Sequence, residues 1–213
     1  MNDLRRWHDS TIGQRAVKEL QKNNFQAIYC ENSKEALNYI FENIPENARI
    51  GVGGSSTIRE IGLLTRLQEK GFLLYDHNAP SLTLEEKTEQ RYKQLTSDLF
   101  LCSANAITLK GELVNRDGLG NRVASMMFGP KKVIVVAGVN KVVRDSEEAD
   151  QRIKMQAAPL NTKRHELPNP CLKTGQCTDC HSTSRICNIT TIIHRCPALT
   201  EIHVVLIGED LGF

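Results

Sequence analysis

The sequence predicts an α/β protein with a mainly parallel sheet flanked by helices. Helical and strand-like patterns alternate over most of the 213 residues, and the predicted strands are short, continuous apolar runs such as 133–139. Strands of this kind are buried on both faces, as they are in parallel sheets covered by helices. A chain of 213 residues can bury one sizeable core, so we expect a single domain over residues 1–213.

Helix and strand alternate regularly from the start of the chain to residue 96. The strands are apolar runs bounded by turn residues, and Ser33 is placed to cap the second helix. We expect a helix over 10–23, a strand over 26–30, a helix from 33 to about 43, a strand over 48–53, a helix over 57–70, a strand over 72–76 and a helix over 84–96.

The second half continues the alternation but adds a hairpin. Two short strands joined through Lys110-Gly111-Glu112 predict at least one antiparallel pairing within the sheet. Asp145 is placed to cap a helix, with Glu148 three residues further on. We expect a strand over 98–104, hairpin strands over 107–109 and 113–115, a helix over 121–128, a strand over 133–139, a helix over 146–157 and a last strand over 203–209.

Residues 159–197 differ from the rest of the chain. They show little periodicity, are rich in proline and carry most of the cysteines. A structureless connection of this length is unusual in a compact domain. We therefore expect a Cys-rich insertion before the last strand, ordered by a bound metal.

Four cysteines in this segment follow a C-x5-C-x2-C-x6-C pattern: Cys171, Cys177, Cys180 and Cys187. Their convergence on one point would require a zinc ion, an iron–sulfur cluster or a pair of disulfides. The C-x2-C pair suits metal chelation, and nearby Lys173 and Arg185 favour thiolates. His181 is a possible alternative ligand, and Cys196 is more simply a free thiol. The remaining histidines, His77 and His165 among them, are expected to be ordinary surface or core residues.

The composition narrows the functional classes. A formal net charge of +2 gives no reason to expect nucleic-acid binding, and no apolar run approaches the roughly 18 residues of a membrane-spanning helix. The first 20 residues do not resemble a secretory signal. We therefore expect a cytoplasmic protein with reduced thiols, which disfavours disulfides.

A glycine-rich turn follows the predicted strand 48–53 and opens the next helix. Such a helix start presents unpaired N–H groups to anions, and small residues let a ligand approach the backbone. The turn is neither a Walker A loop nor a G-x-G-x-x-G motif, and a tight structural connection is the alternative interpretation. The ligand-binding candidates here are Gly53, Gly54, Ser55, Ser56 and Thr57.

A second polar cluster follows the hairpin, where Asp117-Gly118 is a turn signal and Arg122 could grip a carboxylate or phosphate. Asp117 and Glu209, the latter at the end of the last strand, are the candidates for acid–base or nucleophilic catalysis. The other candidates for ligand binding are Asn105, Asn115, Gly118, Gly120, Asn121, Arg122 and Lys141.

Three stretches together resemble the lactate-utilisation (LUD, formerly DUF162) family: GVGGSSTIREIG, SANAITLKGELVNRDGLGNRVASMMFGPKKVIVVAGVNKVV and PCLKTGQCTDCHSTSRICN. The resemblance implies a fold similar to ribose-5-phosphate isomerase and the CoA transferases. It implies that the turn from Gly53 to Thr57 contacts a phosphate or CoA-type ligand. It also implies a role beside redox partner proteins in bacterial L-lactate oxidation.

The chain departs from two family patterns. It lacks the C-x2-C-x2-C-x3-C-P motifs of the larger iron–sulfur subunit, yet unlike the small cluster-free subunit it has its own four-cysteine run. With the family's redox context, the single C-x2-C knuckle favours a [4Fe–4S] cluster over zinc. The leading hypothesis is a redox protein that transfers electrons in the oxidation of a small hydroxy acid. The alternatives are a non-redox isomerase or CoA-transferase-like enzyme with a structural zinc clip, and a binding or assembly subunit.

Overall fold

The computed structural model describes residues 3–213, which form two sheets. The strands are β1 (Gln26–Cys30), β2 (Arg49–Val52), β3 (Leu73–Asp76), β4 (Leu99–Cys102), β5 (Ala106–Thr108), β6 (Leu113–Asp117), β7 (Lys132–Gly138), β8 (Val142–Val143), β9 (Ile189–Ile193) and β10 (Glu201–Ile207). Strands β1, β10, β7, β4, β2 and β3 form a six-stranded sheet in that order, and each of its pairings is parallel.

The helices cover both faces of the six-stranded sheet and pack against the smaller one. They are α1 (Asp3–Lys22), α2 (Ser33–Glu42), α3 (Ser56–Glu60), α4 (Leu63–Glu69), α5 (Leu84–Leu95), α6 (Asn121–Met127), α7 (Ser146–Arg152), α8 (Ala158–Arg164) and α9 (Cys171–Thr174). The predicted α/β class with a mainly parallel sheet flanked by helices is confirmed.

Strand β7 lies inside the sheet and shows how the sequence builds two cores. Val133 and Val135 belong to the core that includes Leu20 of α1, whereas Ile134 and Val136 belong to the core that includes Ile40 of α2. Because successive strand residues point to opposite faces, an unbroken apolar run serves both cores. Burial of both faces of β7 thus explains why the predicted strand 133–139 is an unbroken apolar run.

The hairpin does not join the main sheet. Strands β8, β5, β6 and β9 form a second sheet in that order, with β5–β6 and β6–β9 antiparallel. The expectation of an antiparallel pair mixed into the main sheet was therefore wrong. The hairpin strands instead pack against α7 and the following turn through Ala106, Val114, Ala149 and Ile153.

The interpretation of 159–197 as a linker-like insertion is not confirmed. The segment contributes most of α8, all of α9, and β9, which pairs with β6 from Leu113↔Ile193 to Asp117↔Ile189. Helix α7 continues through one π-helical turn (Ile153–Ala157) into α8. The cysteine-bearing stretch is therefore anchored at both ends by regular structure.

Helix α7 begins with the predicted N-cap, and the contribution of this cap to stability can be tested. Asp145 Oδ1 accepts the N–H groups of Glu147 (3.1 Å) and Glu148 (3.0 Å). Asp145→Ala should lower the free energy of unfolding by about 1 kcal/mol, as loss of an N-cap usually does. Urea unfolding measures the change, and Glu147→Ala should stay within about 0.5 kcal/mol of the wild type. Equal losses in both variants would contradict the role of the cap.

Candidate functional site

A cavity of about 690 Å³ opens at the carboxyl ends of four neighbouring strands. Gly53 follows β2, His77 follows β3, Ser103 follows β4 and Lys141 follows β7, and all four residues line it. Ligands of open parallel sheets bind at this edge, and the volume is in the usual range of ligand pockets. The cavity is therefore the candidate binding site.

The lining of the cavity is strongly basic. Asp117 has the one carboxylate side chain among the described residues that line it, and its charge is matched by Arg122, whose Nε lies 3.3 Å from Asp117 Oδ2. The basic residues of the lining are Lys87, Arg91, Arg116, Arg122, Lys141 and Arg164. This excess of positive charge is suited to an anionic ligand.

The glycine-rich turn after β2 forms one wall of the cavity. A Cβ at Gly53 would lie 3.0 Å from Cys102 Cβ, and Gly54 has φ +69° with His77 and Asn78 against it. Glycine is required at Gly54 because a side chain is strained at positive φ. Ser55 is the N-cap of the helix that follows the turn, and its Oγ accepts the Ile58 N–H at 3.3 Å.

The predicted helix 57–70 is two short helices. Helix α3 ends before Ile61, and Gly62 adopts φ +70° before α4 begins. Glu60 of α3 accepts the N–H of Gly212 at 2.7 Å. Thr57 faces inward, and its hydroxyl is bonded to Lys141.

Lys141 provides a buried amine at the base of the cavity. Its Nζ donates to Thr57 Oγ1 (2.9 Å) and Ser103 Oγ (3.1 Å), and its side chain is 3% exposed. Burial, together with the charges of Arg152 and Arg122, lowers the pKa of Lys141 to about 7. A buried cation bonded to two neutral hydroxyls is well prepared for an anionic ligand.

Asp117 and Arg122 shape the loop after β6. Asp117 Oδ1 accepts the N–H groups of Leu119 (3.1 Å) and Gly120 (2.9 Å), and Asp117 Oδ2 pairs with Arg122. Arg122 also donates to Ser103 O (3.1 Å), to Asn105 Oδ1 (3.0 Å) and to a backbone carbonyl of β6. Both groups are thus occupied by the protein itself, which leaves little for the catalysis predicted for Asp117 or the ligand grip predicted for Arg122.

The structure brings most of the predicted ligand-binding residues together. On the cavity lining are Gly53, Gly54, Ser55, Ser56, Asn105, Asp117, Gly118, Asn121, Arg122 and Lys141. Thr57, Asn115, Gly120 and Glu209 are not on this lining. Glu209 accepts the backbone N–H (3.1 Å) and the hydroxyl of Ser33 instead, so the structure offers no support for its predicted catalytic role.

Several lining residues were not predicted. His77 and His165, expected to be ordinary, both face the cavity, as do Arg91 and Arg164. Arg164 donates to Gly54 O (3.1 Å) and Ser56 Oγ (2.8 Å), which fixes helix α8 against the turn. The position of His77 directly after a strand was a usable signal in the sequence.

The four cysteines of the C-x5-C-x2-C-x6-C run line one small cavity of about 20 Å³. The N–H of Asp179 lies 3.4 Å from Cys177 Sγ, and the Arg185 guanidinium donates to the carbonyls of Cys180 (2.6 Å) and Cys187 (3.2 Å). Burial, and then the charge of Cys177, raises the pKa of Cys187. His181 and Cys196 do not line this cavity.

The cysteines of this run fit a metal by the chemistry of their side chains. Within residues 3–213, no group of three or more His, Cys, Asp or Glu side chains has the arrangement of a metal site. The four cysteines nevertheless line one small cavity, and four thiolates are the donor set of zinc and iron–sulfur sites. The donor chemistry therefore fits the expected group.

The basic cavity and the cysteine cavity share a wall. Ala158, Ile186 and Cys187 line both. Two further contacts tie the cysteines to that wall: Cys177 N–H donates to Lys154 O in the π-helical turn (2.8 Å), and Cys171 Sγ lies 3.4 Å from Thr162 Oγ1 of α8. A group held by the cysteines would adjoin any ligand in the basic cavity.

The fold and the paired cavities define an α/β protein with a basic cavity beside a thiol site. The model of the LUD domain family matches residues 13–207, so the chain belongs to this family. Membership supports a general role related to lactate utilisation. A crystal structure of a DUF162 family protein from Deinococcus radiodurans is similar, with a TM-score of 0.52 and 14% identity over 94% of this chain and 98% of that chain. That likeness shows the fold alone.

No curated protein matches the sequence. In the described part of the chain, none of the helices is both long enough and apolar enough to cross a membrane.

Proposed function

We propose that this chain is a redox protein of lactate-utilisation type that takes part in the oxidation of a small hydroxy acid. The observation that carries the proposal is the wall shared by the two cavities, because Cys187 lines both the cysteine cavity and the basic cavity. Cys171, Cys177, Cys180 and Cys187 would hold a [4Fe–4S] cluster. Such a cluster, when bound, supplies one-electron transfer toward a redox partner protein.

The chain's own residues have defined tasks in this proposal. Lys141 and Arg91 contribute the charge that attracts the carboxylate of the acid. Arg164 fixes the turn at Gly54, and the Asp117–Arg122 pair fixes the loop opposite. The cavity, at about 690 Å³, is larger than a three-carbon acid needs, and the remaining space suits a phosphate or CoA-type ligand or a partner's cofactor.

The alternative of a non-redox isomerase or CoA-transferase-like enzyme with a zinc clip has weaker support. In this alternative, Asp117 or Glu209 would perform acid–base or nucleophilic catalysis. Asp117 is paired with Arg122 and two backbone N–H groups, and Glu209 is bonded to Ser33 outside the cavity. The geometry leaves neither carboxylate free to act on a cavity ligand.

Anaerobic purification with visible absorbance and metal analysis tests the proposal. We expect brown protein with several irons and sulfides per chain, and Cys177→Ser or Cys180→Ser should lose the colour and the iron. Cys196→Ser is the matched control and should retain both, because Cys196 Sγ lies at Thr200 O (3.1 Å) and not in the cysteine cavity. Colourless wild-type protein with one zinc per chain would overturn the redox proposal and favour the zinc clip.

Binding of the acid is tested separately on the same anaerobic protein. We expect L-lactate to change the electron paramagnetic resonance spectrum of the reduced cluster, because the two cavities adjoin at Cys187. A spectrum that is unchanged at saturating L-lactate, as judged by calorimetry, would show that the two cavities are not coupled.

A further inference from the structure

The Arg185 guanidinium joins two separate parts of the cysteine run. Its Nη1 donates to the carbonyl oxygen of Cys180 at 2.6 Å, and its Nε donates to the carbonyl oxygen of Cys187 at 3.2 Å. Its Nη2 donates to Asp179 Oδ1 at 2.8 Å. Arg185 also lines the small cysteine cavity. One side chain therefore ties the Cys177-x-x-Cys180 knuckle to the residues around Cys187.

The knuckle itself is held in a defined turn. Asp179 adopts φ +49°, an uncommon conformation for a residue other than glycine. Its N–H donates to Cys177 Sγ at 3.4 Å. The N–H of Cys177 in turn donates to Lys154 O of the π-helical turn at 2.8 Å. The knuckle is thus fixed to α7 and α8 on one side, and Arg185 joins it to Cys187 on the other.

The residues on either side of Arg185 are held to the protein by other bonds. Ser184 Oγ donates to Asn169 Oδ1 at 2.8 Å, and Asn169 Nδ2 donates to Ser184 O at 3.0 Å. Asn188 Nδ2 donates to Gly118 O at 3.0 Å, in the loop that lines the basic cavity. These three bonds order the segment without contacting a cysteine, whereas the bonds of Arg185 connect the segment to the knuckle.

Arginine can make this set of bonds and lysine cannot. A guanidinium carries its N–H donors in a rigid plane, so it can bond several acceptors at fixed angles, whereas the ammonium of lysine is a point charge on a flexible stem. Arg185 uses three nitrogens on three different acceptors. It also brings a positive charge to the thiol site. The geometry of its side chain and its charge are therefore separate contributions, which an Arg→Lys substitution can distinguish.

We propose that Arg185 is a positioning residue of the cysteine site, whose guanidinium holds the knuckle and Cys187 at the separation that a bound metal or cluster requires. The bonds of Arg185 join protein atoms only, so they do not depend on the bound group. A site that is arranged beforehand binds more tightly, and loss of such an outer partner typically costs about 10- to 100-fold in metal affinity. The inference deepens the proposed function and rests on its four-cysteine site, though not on which group that site holds.

The test is the zinc affinity of the metal-free protein, measured anaerobically by competition with a chromophoric chelator. Four thiolates that converge bind zinc whether or not it is the native metal. Arg185→Lys keeps the charge and loses the planar set of donors, and Arg185→Gln loses both. We expect both variants to bind zinc about 10- to 100-fold more weakly than the wild type, and to differ from each other by less than about threefold.

Two control variants separate positioning from simpler effects. Lys173→Gln removes a positive charge from an exposed position in the same run. Ser184→Ala removes a hydrogen bond that orders the segment next to Arg185. Both should bind zinc within about threefold of the wild type. A loss in Ser184→Ala as large as that in Arg185→Lys would show that Arg185 only orders the segment, and would overturn the positioning role.

The other outcomes separate this inference from the proposed function. Wild-type affinity in Arg185→Lys would overturn the positioning role, because the charge would then be sufficient. Urea unfolding of metal-free Arg185→Lys gives a second readout: a loss of stability that accounts for the whole loss of affinity would assign a structural role instead. In both cases the cysteine site stands. If the wild type binds no zinc, the cysteine site of the proposed function fails, and the assignment of Arg185 fails with it.

Discussion

Lys141→Met is expected to stabilise the protein and at the same time to weaken its binding of small anions. The wild-type amine is buried, and no carboxylate lies among its hydrogen-bond partners, so the charge is costly until a ligand arrives. Methionine fills a similar volume without that charge. We expect the free energy of unfolding at pH 6 to rise by about 1–3 kcal/mol, as it does when buried ionic groups are replaced by apolar ones.

Anion binding should change in the opposite direction. A hydrogen bond to a charged group contributes about 1.5–3 kcal/mol, so the affinity for L-lactate should fall about 10- to 100-fold in Lys141→Met. Urea unfolding and calorimetry measure the two effects. Lys110→Met, on the exposed hairpin turn, is the control and should change neither. A destabilised Lys141→Met protein with normal affinity would show that the lysine is structural.

The effect of Lys141 depends on pH in a defined direction. Its folded pKa is about 7 and its ordinary value is 10.5, so between these values the unfolded chain holds a proton that the folded chain lacks. The stability of the wild type relative to Lys141→Met therefore rises with pH across this window, and the difference is largest below pH 7. Affinity for L-lactate should fall as pH rises through 7, because the amine loses its charge. The pKa values of His77 and His165 are lowered, so neither should produce this change.

The order of the main elements could be predicted because each depends on local pattern. The apolar run of β7 and the cap at Asp145 are read from a few neighbouring residues, and both are confirmed. The position of the Gly53 turn at the cavity could also be predicted, since loops after parallel strands gather at one edge. The loop around Asp117 reaches the same cavity from β6, an antiparallel strand of the second sheet. These are consequences of periodicity and topology.

The missed features depend on contacts distant in sequence. Strand β9 is short, and only its pairing with β6 makes it a strand. Helix α8 was missed because nearly all of it lies in the segment 159–197, whose prolines and weak periodicity gave no helical signal, although proline is well tolerated in the first turn, where Pro159 lies. Arg91 and Arg164 reach the cavity from helices, so no strand-end rule could identify them. Their roles require the tertiary structure.

Arg122→Leu is expected to cause a large loss of stability. The guanidinium pairs with Asp117 and donates to Ser103 O and Asn105 Oδ1. Leucine would leave the Asp117 carboxylate, which is 8% exposed, without its counter-charge. Removing one partner of a buried ion pair costs about 3–5 kcal/mol, because the remaining charge stays desolvated. Urea unfolding measures the loss, and Asp117→Asn/Arg122→Leu should recover part of it.

Arg49→Leu provides the contrast that identifies the cause. Arg49 pairs with Asp98 at 2.8 Å and 2.9 Å, closer than the 3.3 Å between Arg122 and Asp117. Both partners are well exposed, with side-chain accessibilities of 49% and 42%. Water therefore hydrates the Asp98 carboxylate when the substitution removes the Arg49 guanidinium. We expect a loss of less than about 1 kcal/mol for Arg49→Leu. If the distance between the charges decided the loss of stability, Arg49→Leu would be the more damaging substitution. If burial decides it, Arg122→Leu is the more damaging one. In that case the loop that carries Asp117 into the basic cavity depends on the Asp117–Arg122 pair.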